Sequence, residues 1–413
     1  MTTSSTGAAP PRSRRSHARL LIVLAGLSAA SPLATDMYVP ALPDLARSLG
    51  TDAAGAQLSL TGFLVGMILG QLVLGPLSDA TGRRPVLVGG SLLFAVFSAV
   101  CALAPTADVL DTARVGQGVT GAAGIVVARA VVADLFDDRQ LPTVFARLGA
   151  ISATAPVIAP LAGGALLLVV SWRYVFALLA LVGLLLAWGI LRWIPESHPP
   201  SARITGGPAA GLRAIGSILT RRALLAPVLA LAFGGAAVFA YIAGTTFVFR
   251  DIYHLSPALA SLVYGVNALG NMTGSLAYGH LARRTSPERL LVISGALATA
   301  GAAVLLLLQT TIGSVMPLTW LCLLICLTAF GVFFPAVLTV AQSRGRAAPG
   351  ATSALLGGGQ FLLGAAAPPL VGYFGTQSPA PMAAIMTAAL TAATLAAYLT
   401  ATAGRRLPDG DRA

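Results

Sequence analysis

No lysine occurs anywhere in the 413 residues; all 26 basic side chains are arginine. That gap excludes a phosphate loop of the G-x-x-x-x-G-K-[ST] type, and with it ATP hydrolysis as an energy source within the chain. It also excludes the Schiff-base lysine of a retinal receptor. Charge of either sign is scarce, at 10% of residues, against about 25% in a typical soluble domain. Cysteine is limited to Cys101, Cys322 and Cys326, all within apolar runs. Three such thiols are no disulfide framework, and with no histidine or acid joining Cys322 and Cys326, no metal site is expected. Neither H-E-x-x-H nor paired aspartates in a G-x-G-D context appear, so intramembrane proteolysis lacks its machinery. The four histidines lie in polar segments or loops and offer no proton relay. The chain is expected not to be an enzyme and to need no cofactor.

What is present is apolar. Hydrophobic residues make up 56% of the chain and the mean hydropathy is +0.83. Runs near 20 residues, each long enough to cross about 30 Å of hydrocarbon, recur from end to end. They predict an all-α membrane protein with helices at 19–42, 56–77, 85–104, 107–133, 142–169, 172–194, 223–250, 258–281, 289–309, 316–341, 352–375 and 381–403. The 45 glycines and 26 prolines sit mostly inside these runs, where small residues allow close helix approach and prolines kink helices. The start, RSRRSHAR before LLIVLAGLSAA, has the layout of a secretory signal; with many spans to follow, it is read as a retained first helix.

Arginine sets the expected orientation. With the N-terminus in the cytoplasm, Arg12, Arg14, Arg15, Arg19 and the pairs Arg83/Arg84, Arg221/Arg222, Arg283/Arg284 and Arg405/Arg406 fall inside, as do Arg344 and Arg346. Outside fall Arg47, Arg173 and Arg250, with Asp44, Asp52, Asp108 and Asp111. The formal charge of +12 is then mostly topology plus attraction to anionic lipid rather than a sign of nucleic acid. The expected organisation is a basic cytoplasmic tail (1–18), a six-helix bundle (19–194), a cytoplasmic linker (195–222), a second six-helix bundle (223–403) and a cytoplasmic tail (404–413). Within the linker, GLRAIGSILTRR can form an amphipathic helix on the membrane surface. Two such halves suggest parallel repeats with a substrate site between them.

One loop carries a specific pattern. GPLSDATGRRP, residues 75–85, resembles the loop motif G-x-L-a-D-r-x-G-r-k of the major facilitator superfamily through Gly75, Leu77, Asp79, Gly82, Arg83 and Arg84; Ala80 departs at a position that is often basic. The equivalent stretch in the second half, GSLAYGHLARR (274–284), keeps small residues and paired arginines but no acid. The resemblance implies a conformational pairing of the loop arginine with an acid at the inner end of span four, here Arg83 with Asp134.

RVGQGVTGAAG (114–124) resembles the span-four motif of the same family, with Arg114 and Gln117 one turn apart. A lone arginine in hydrocarbon costs about 2.5–3.5 kcal/mol or more, so it should face protein or a wet cavity. GAISATAPVIAPLAGG (149–164) resembles the antiporter motif of span five through Gly149, Pro160, Gly163 and Gly164, with Ala159 before the proline where the general motif has glycine. TDMYVPALP, carrying Asp36, Tyr38, Pro40 and Pro43, resembles the D-x-Y-x-P-x-x-P pattern of the Bcr/CflA drug-resistance subgroup; SWRYVF (171–176) extends the likeness. Asp36 lies seven residues before Pro43, about 10 Å of helix, at a depth similar to that of Arg114. The two are therefore expected to pair and to carry proton coupling.

Other intramembrane polar and aromatic residues are candidates for substrate contact: Tyr38 and Gln117 in the first half, Tyr241, Thr245, Phe330 and Phe334 in the second. Asn267 and Asn271 share a helix face and are expected to hydrogen-bond across helices. The resemblance implies a monomeric secondary transporter of a bacterial inner membrane, both termini cytoplasmic, exporting small amphipathic drugs of chloramphenicol or bicyclomycin type. The proton gradient would drive it. An uptake carrier, or an exporter for an endogenous metabolite, stands as the alternative on the same fold.

Overall fold

A computed structural model describes residues 14–136, 141–203, 222–345, 349–375 and 377–404. Arg12, Arg221, Arg346, Arg405, Arg406 and most of the 195–222 linker, including its amphipathic stretch, lie outside the described residues. Thirteen α-helices and no strand occur among the residues described. The first half holds α1 (Arg14–Asp36), α2 (Leu42–Leu49), α3 (Ala53–Thr81), α4 (Arg83–Leu103), α5 (Ala107–Leu135), α6 (Leu141–Leu166) and α7 (Arg173–Trp193). The second holds α8 (Arg222–Phe247), α9 (Pro257–Leu281), α10 (Pro287–Thr311), α11 (Met316–Arg344), α12 (Pro349–Tyr373) and α13 (Ala380–Gly404).

The span expected over 19–42 is not one continuous helix. It ends at Asp36, passes through a bend at Met37 and Tyr38 and a 3₁₀ turn over Val39–Ala41, and resumes as α2. Pro40 and Pro43 cause the interruption: each removes a backbone donor, and each disfavours helical geometry at the residue before it. Ten helical segments among the described residues are long and apolar enough to cross a membrane. α9 falls short of that mark because Tyr264, Asn267, Asn271, Thr273 and His280 dilute its apolar character.

Packing repeats between the halves. In the first, α3 packs on α5, α4 on α5 and α7, and α1 on α5, α6 and α7; in the second, α9 packs on α11, α10 on α11 and α13, and α8 on α11, α12 and α13. The repeat reaches individual glycines. A Cβ on Gly118 of α5 would lie 2.1 Å from the Phe63 carbonyl of α3, and one on Gly331 of α11 would lie 2.1 Å from the Asn271 carbonyl of α9. Each bundle thus uses glycines, Gly66 and Gly70 beside Gly118 and Gly274 beside Gly331, to bring two backbones into contact, where packing and not water exclusion holds helices together.

Exposed apolar side chains lie on α4 (Leu92, Leu93, Val96), α7 (Leu181, Leu184, Leu185) and α10 (Ile293, Leu297, Leu307), and also along α3 (Leu58, Leu69) and α9 (Leu262, Leu276). These helices contribute to the lipid face. The seam between bundles is made by α3 against α12 and α6 against α9. Thr61 Oγ1 donates to the Ala365 carbonyl (2.7 Å), and the Gln57 amide bridges the Ala243 carbonyl (3.3 Å) and the Gly372 N–H (3.0 Å). The architecture is a multi-pass membrane fold of two pseudo-symmetric helical bundles.

Candidate functional site

The break in α1 leaves helix-end carbonyls without intrahelical partners. The Met37 N–H satisfies Leu33 (3.1 Å), and Arg114 on α5 satisfies Ala34: its Nη1 donates to that carbonyl at 3.0 Å. The same guanidinium donates through Nε to the Ser59 carbonyl (3.2 Å) and through Nη1 to Gln117 Oε1 (2.6 Å). The Tyr38 and Phe63 rings lie each 4.4 Å from its centre. Carbonyl dipoles and two π faces offset the desolvation of a fully buried charge. Gln117 is itself spent, donating to Ser98 Oγ (2.7 Å), and Tyr38 Oη pairs with Ser59 Oγ (3.2 Å).

The expected ion pair between Asp36 and Arg114 is not formed. Arg114 turns to the broken end of α1 instead, because the interruption presents carbonyls that a continuous helix would have consumed. Asp36 is buried and joins no ion pair or side-chain hydrogen bond among the described residues. Its electrostatic neighbours in the opposite bundle are two phenols, Tyr241 on α8 and Tyr264 on α9. Their rings lie 5.2 Å apart. Tyr241 Oη accepts from Asn267 Nδ2 (3.1 Å), whose Oδ1 accepts from Trp320 Nε1 (3.1 Å). Tyr264 Oη is buried with no hydrogen-bond partner among the described residues. The Tyr241 proton is left over from this chain, so two phenolic donors remain unspent in the neighbourhood of one carboxyl.

α6 places its motif beside the same break. A Cβ on Gly163 would lie 1.9 Å from the Met37 carbonyl, and one on Gly164 would lie 2.0 Å from Ser261 Oγ of α9. The two glycines let α6 wedge between the interrupted helix and the other bundle. Pro160 is buried on the same helix, and Gly149 lies nearer its start.

At the opposite end of the bundle, Gly82 takes φ +108°, a left-handed turn between α3 and α4 that suits only glycine. It delivers Arg83 into a cluster: Nε donates to Asp134 Oδ2 (3.2 Å), while Nη1 donates to Ser78 Oγ (2.6 Å) and pairs with Asp79. Arg84 Nη2 caps α7 at the Leu191 carbonyl (2.6 Å). Gly75 packs against Val126. Two further participants come from the start of the linker. Glu196 accepts from the backbone N–H of Arg83 (2.9 Å) and Arg84 (3.3 Å), capping α4, and Ser197 Oγ donates to Asp134 Oδ2 (2.8 Å). Along the chain both read as linker; the one signal in the sequence is a lone acid, Glu196, directly after the α7 span. In the second half, Arg283 and Arg284 join no such cluster among the described residues. Arg83→Ala is expected to lower unfolding stability by about 1–3 kcal/mol, with Arg83→Lys between the two, because it strands a half-buried carboxylate. Thermal unfolding in detergent measures both.

The second-half candidates do not share one surface. Tyr241 turns to α9, Thr245 lies against Met382 Sδ of α13 (3.7 Å), and Phe330 stacks on Phe333 and lines a small apolar cavity with Cys326 and Met386. Phe334 sits half-buried beside Phe330.

The Major Facilitator Superfamily profile matches residues 24–368. The chain is 38% identical over 372 residues to the uncharacterized MFS-type transporter YdgK of Bacillus subtilis, covering 89% of this chain and 91% of that one. It is 28% identical over 274 residues to a bicyclomycin resistance protein homolog of Haemophilus influenzae, covering 66% of this chain and 69% of that one. Among solved structures it superimposes on a D-xylose-proton symporter with a TM-score of 0.71 and 16% identity, covering 94% of this chain and 97% of that one.

Proposed function

The chain belongs to the major facilitator superfamily, and on that premise we propose that it exports small amphipathic drugs across a bacterial inner membrane in exchange for protons, as a protein of the Bcr/CflA type. The observation that carries this reading is Asp36, a buried carboxyl at the broken end of α1 that joins no ion pair or side-chain hydrogen bond among the described residues. The neutral acid and the carboxylate are the two forms open to a group so placed. A site balanced between the two can take a proton from one side and surrender it on the other, with substrate binding more tightly, though not exclusively, to the form that has released it.

The positive-inside distribution of arginine orients the Arg83 end toward the cytoplasm and the Asp44 end outward, with both termini inside. One charge moved through 100 mV supplies about 2.3 kcal/mol, and tenfold in an equilibrium is about 1.4 kcal/mol. One proton exchanged for a neutral drug therefore supports roughly a 40-fold gradient per 100 mV. Arg83, Asp79 and Asp134 act conformationally in this scheme, latching one access state, while Gly149, Pro160, Gly163 and Gly164 let α6 move against α9. Arg114 holds the break at which Asp36 lies.

Bicyclomycin-like and chloramphenicol-like compounds are the first substrates to test, given the resistance homolog among the relatives. In everted vesicles containing the protein, acidifying the lumen should drive accumulation of labelled drug, and a protonophore should collapse it. Accumulation that ignores the protonophore would sink the coupling.

A further inference from the structure

The last turn of α8 widens into a π-helical turn over Val248–Ile252, closed by the Tyr253 N–H on the Val248 carbonyl (3.1 Å). Such turns recur at functional sites. This one carries Arg250, whose residue is only partly exposed. It crosses from the second bundle to the first. Nη1 donates to the Pro40 carbonyl (3.0 Å) and pairs with Asp44 Oδ2, while Nη2 reaches Asp44 Oδ1 (3.3 Å). Asp44 also pairs with Arg47, and Arg47 approaches Asp251 (3.8 Å). Four alternating charges from α2 and the end of α8 therefore close a bridge between the bundles.

The Pro40 contact distinguishes this bridge from an ordinary surface ion pair. Pro40 belongs to the Val39–Ala41 turn, which begins three residues after Asp36 and exists because α1 is broken. Both Arg250 contacts thus fall on the interrupted segment: one on its turn, the other on the short helix that follows. A planar guanidinium is suited to this double duty, since its fork can grip a carboxylate and still present a further N–H to a carbonyl.

We propose that Arg250 is a positioning residue of the transport cycle, an interdomain latch that closes the Asp44 end of the protein and, through Pro40, holds the turn next to Asp36. The Asp44 end cannot part without releasing that turn. A carboxyl buried in the closed arrangement becomes reachable from that side when the latch opens. Gating and access to the acid are then one event. The latch rests on the export reading only for the direction of travel; its existence can be tested with neither substrate nor proton gradient.

The test uses the full chain in nanodiscs with the three buried native cysteines replaced by alanine. Nitroxides at Pro105→Cys and Thr310→Cys, both exposed and on opposite bundles, report separation of the Asp44 end by double electron–electron resonance. In a second series, Val39→Cys, buried in the closed arrangement, reports release of the turn through its rate of reaction with a hydrophilic maleimide. Arg250→Ala and Asp44→Ala should each raise the long-distance population, and the labelling rate at position 39 should rise with it by about tenfold. Arg250→Lys, which keeps charge and fold but not the fork, should fall between. Exchanging the charges, Asp44→Arg with Arg250→Asp, should recover much of the short distance. Unchanged distances in Arg250→Ala and Arg250→Lys would overturn the latch. Separation of the ends without faster labelling at position 39 would overturn its link to the Asp36 turn. Absence of drug export by the unmodified protein, with both readouts as expected, would leave the latch standing and count against the export reading alone.

Discussion

Asp36→Asn is expected to abolish concentrative export while leaving the protein inserted and folded. The carboxamide keeps the volume and polarity of the side chain but cannot change charge, so the roughly 40-fold gradient that 100 mV sustains for one exchanged proton should collapse toward unity. Facilitated equilibration of drug down its own gradient should persist. The prediction is asymmetric in a useful way. Asp36 makes no ion pair or side-chain hydrogen bond among the described residues, so its replacement removes none of these bonds and thermal stability should stay the same or rise. Transport in everted vesicles with a clamped pH gradient, beside an unfolding curve of the same preparation, separates the two effects. Active pumping by the variant would assign coupling to another group.

The second large effect is structural. Gly118→Leu is expected to eliminate folded protein, and Gly118→Ala to cost about 1–3 kcal/mol as overpacking. A Cβ at this position would lie 2.1 Å from the Phe63 carbonyl and 2.9 Å from the Met67 nitrogen. Both are helix backbone, which cannot yield as a side-chain tip would. Pushing α3 from α5 also pulls Ser59 from the Arg114 Nε, so the damage reaches the broken end of α1. Gly89→Ala is the matched control, since nothing lies within 4 Å of its Cβ position. Fluorescence-detected size exclusion of the three variants should show near-normal yield for Gly89→Ala, reduced yield for Gly118→Ala and none for Gly118→Leu.

Much of the architecture was legible because hydrocarbon thickness imposes a length on every span, and the apolar runs repeat at that length. The Arg83–Asp134 contact was expected from the family resemblance, which pairs the loop arginine with an acid at the inner end of span four. What escaped the sequence depends on events that no local pattern encodes. Arg114 was matched to Asp36 by depth, yet its partners are backbone carbonyls of Ala34 and Ser59 together with Gln117. The Ala34 carbonyl becomes available only because α1 stops. Glu196 was hidden because a capping acid looks like any linker acid until the N-terminus of α4 arrives beside it. Asp44 and Arg250 are 206 positions apart, and nothing along the chain says that these two charges meet. Thr245 and Phe330 show a further limit. Composition placed both in membrane helices, but the rotation of each helix sends Thr245 toward α13 and Phe330 into its own bundle. Tyr264 and Trp320 carried no sequence signal stronger than an aromatic residue in a span.

The most direct test of the central claim is to measure protons released when drug binds to purified protein in weakly buffered detergent, using a pH-reporting dye. If Asp36 exchanges its proton for cargo, substrate should release protons from the unmodified protein in saturable fashion, with the yield vanishing as the pH is raised until the site is already ionised. Asp36→Asn should release none while still binding. Equal release from both proteins, or drug binding with no release from either at any pH, would contradict the account.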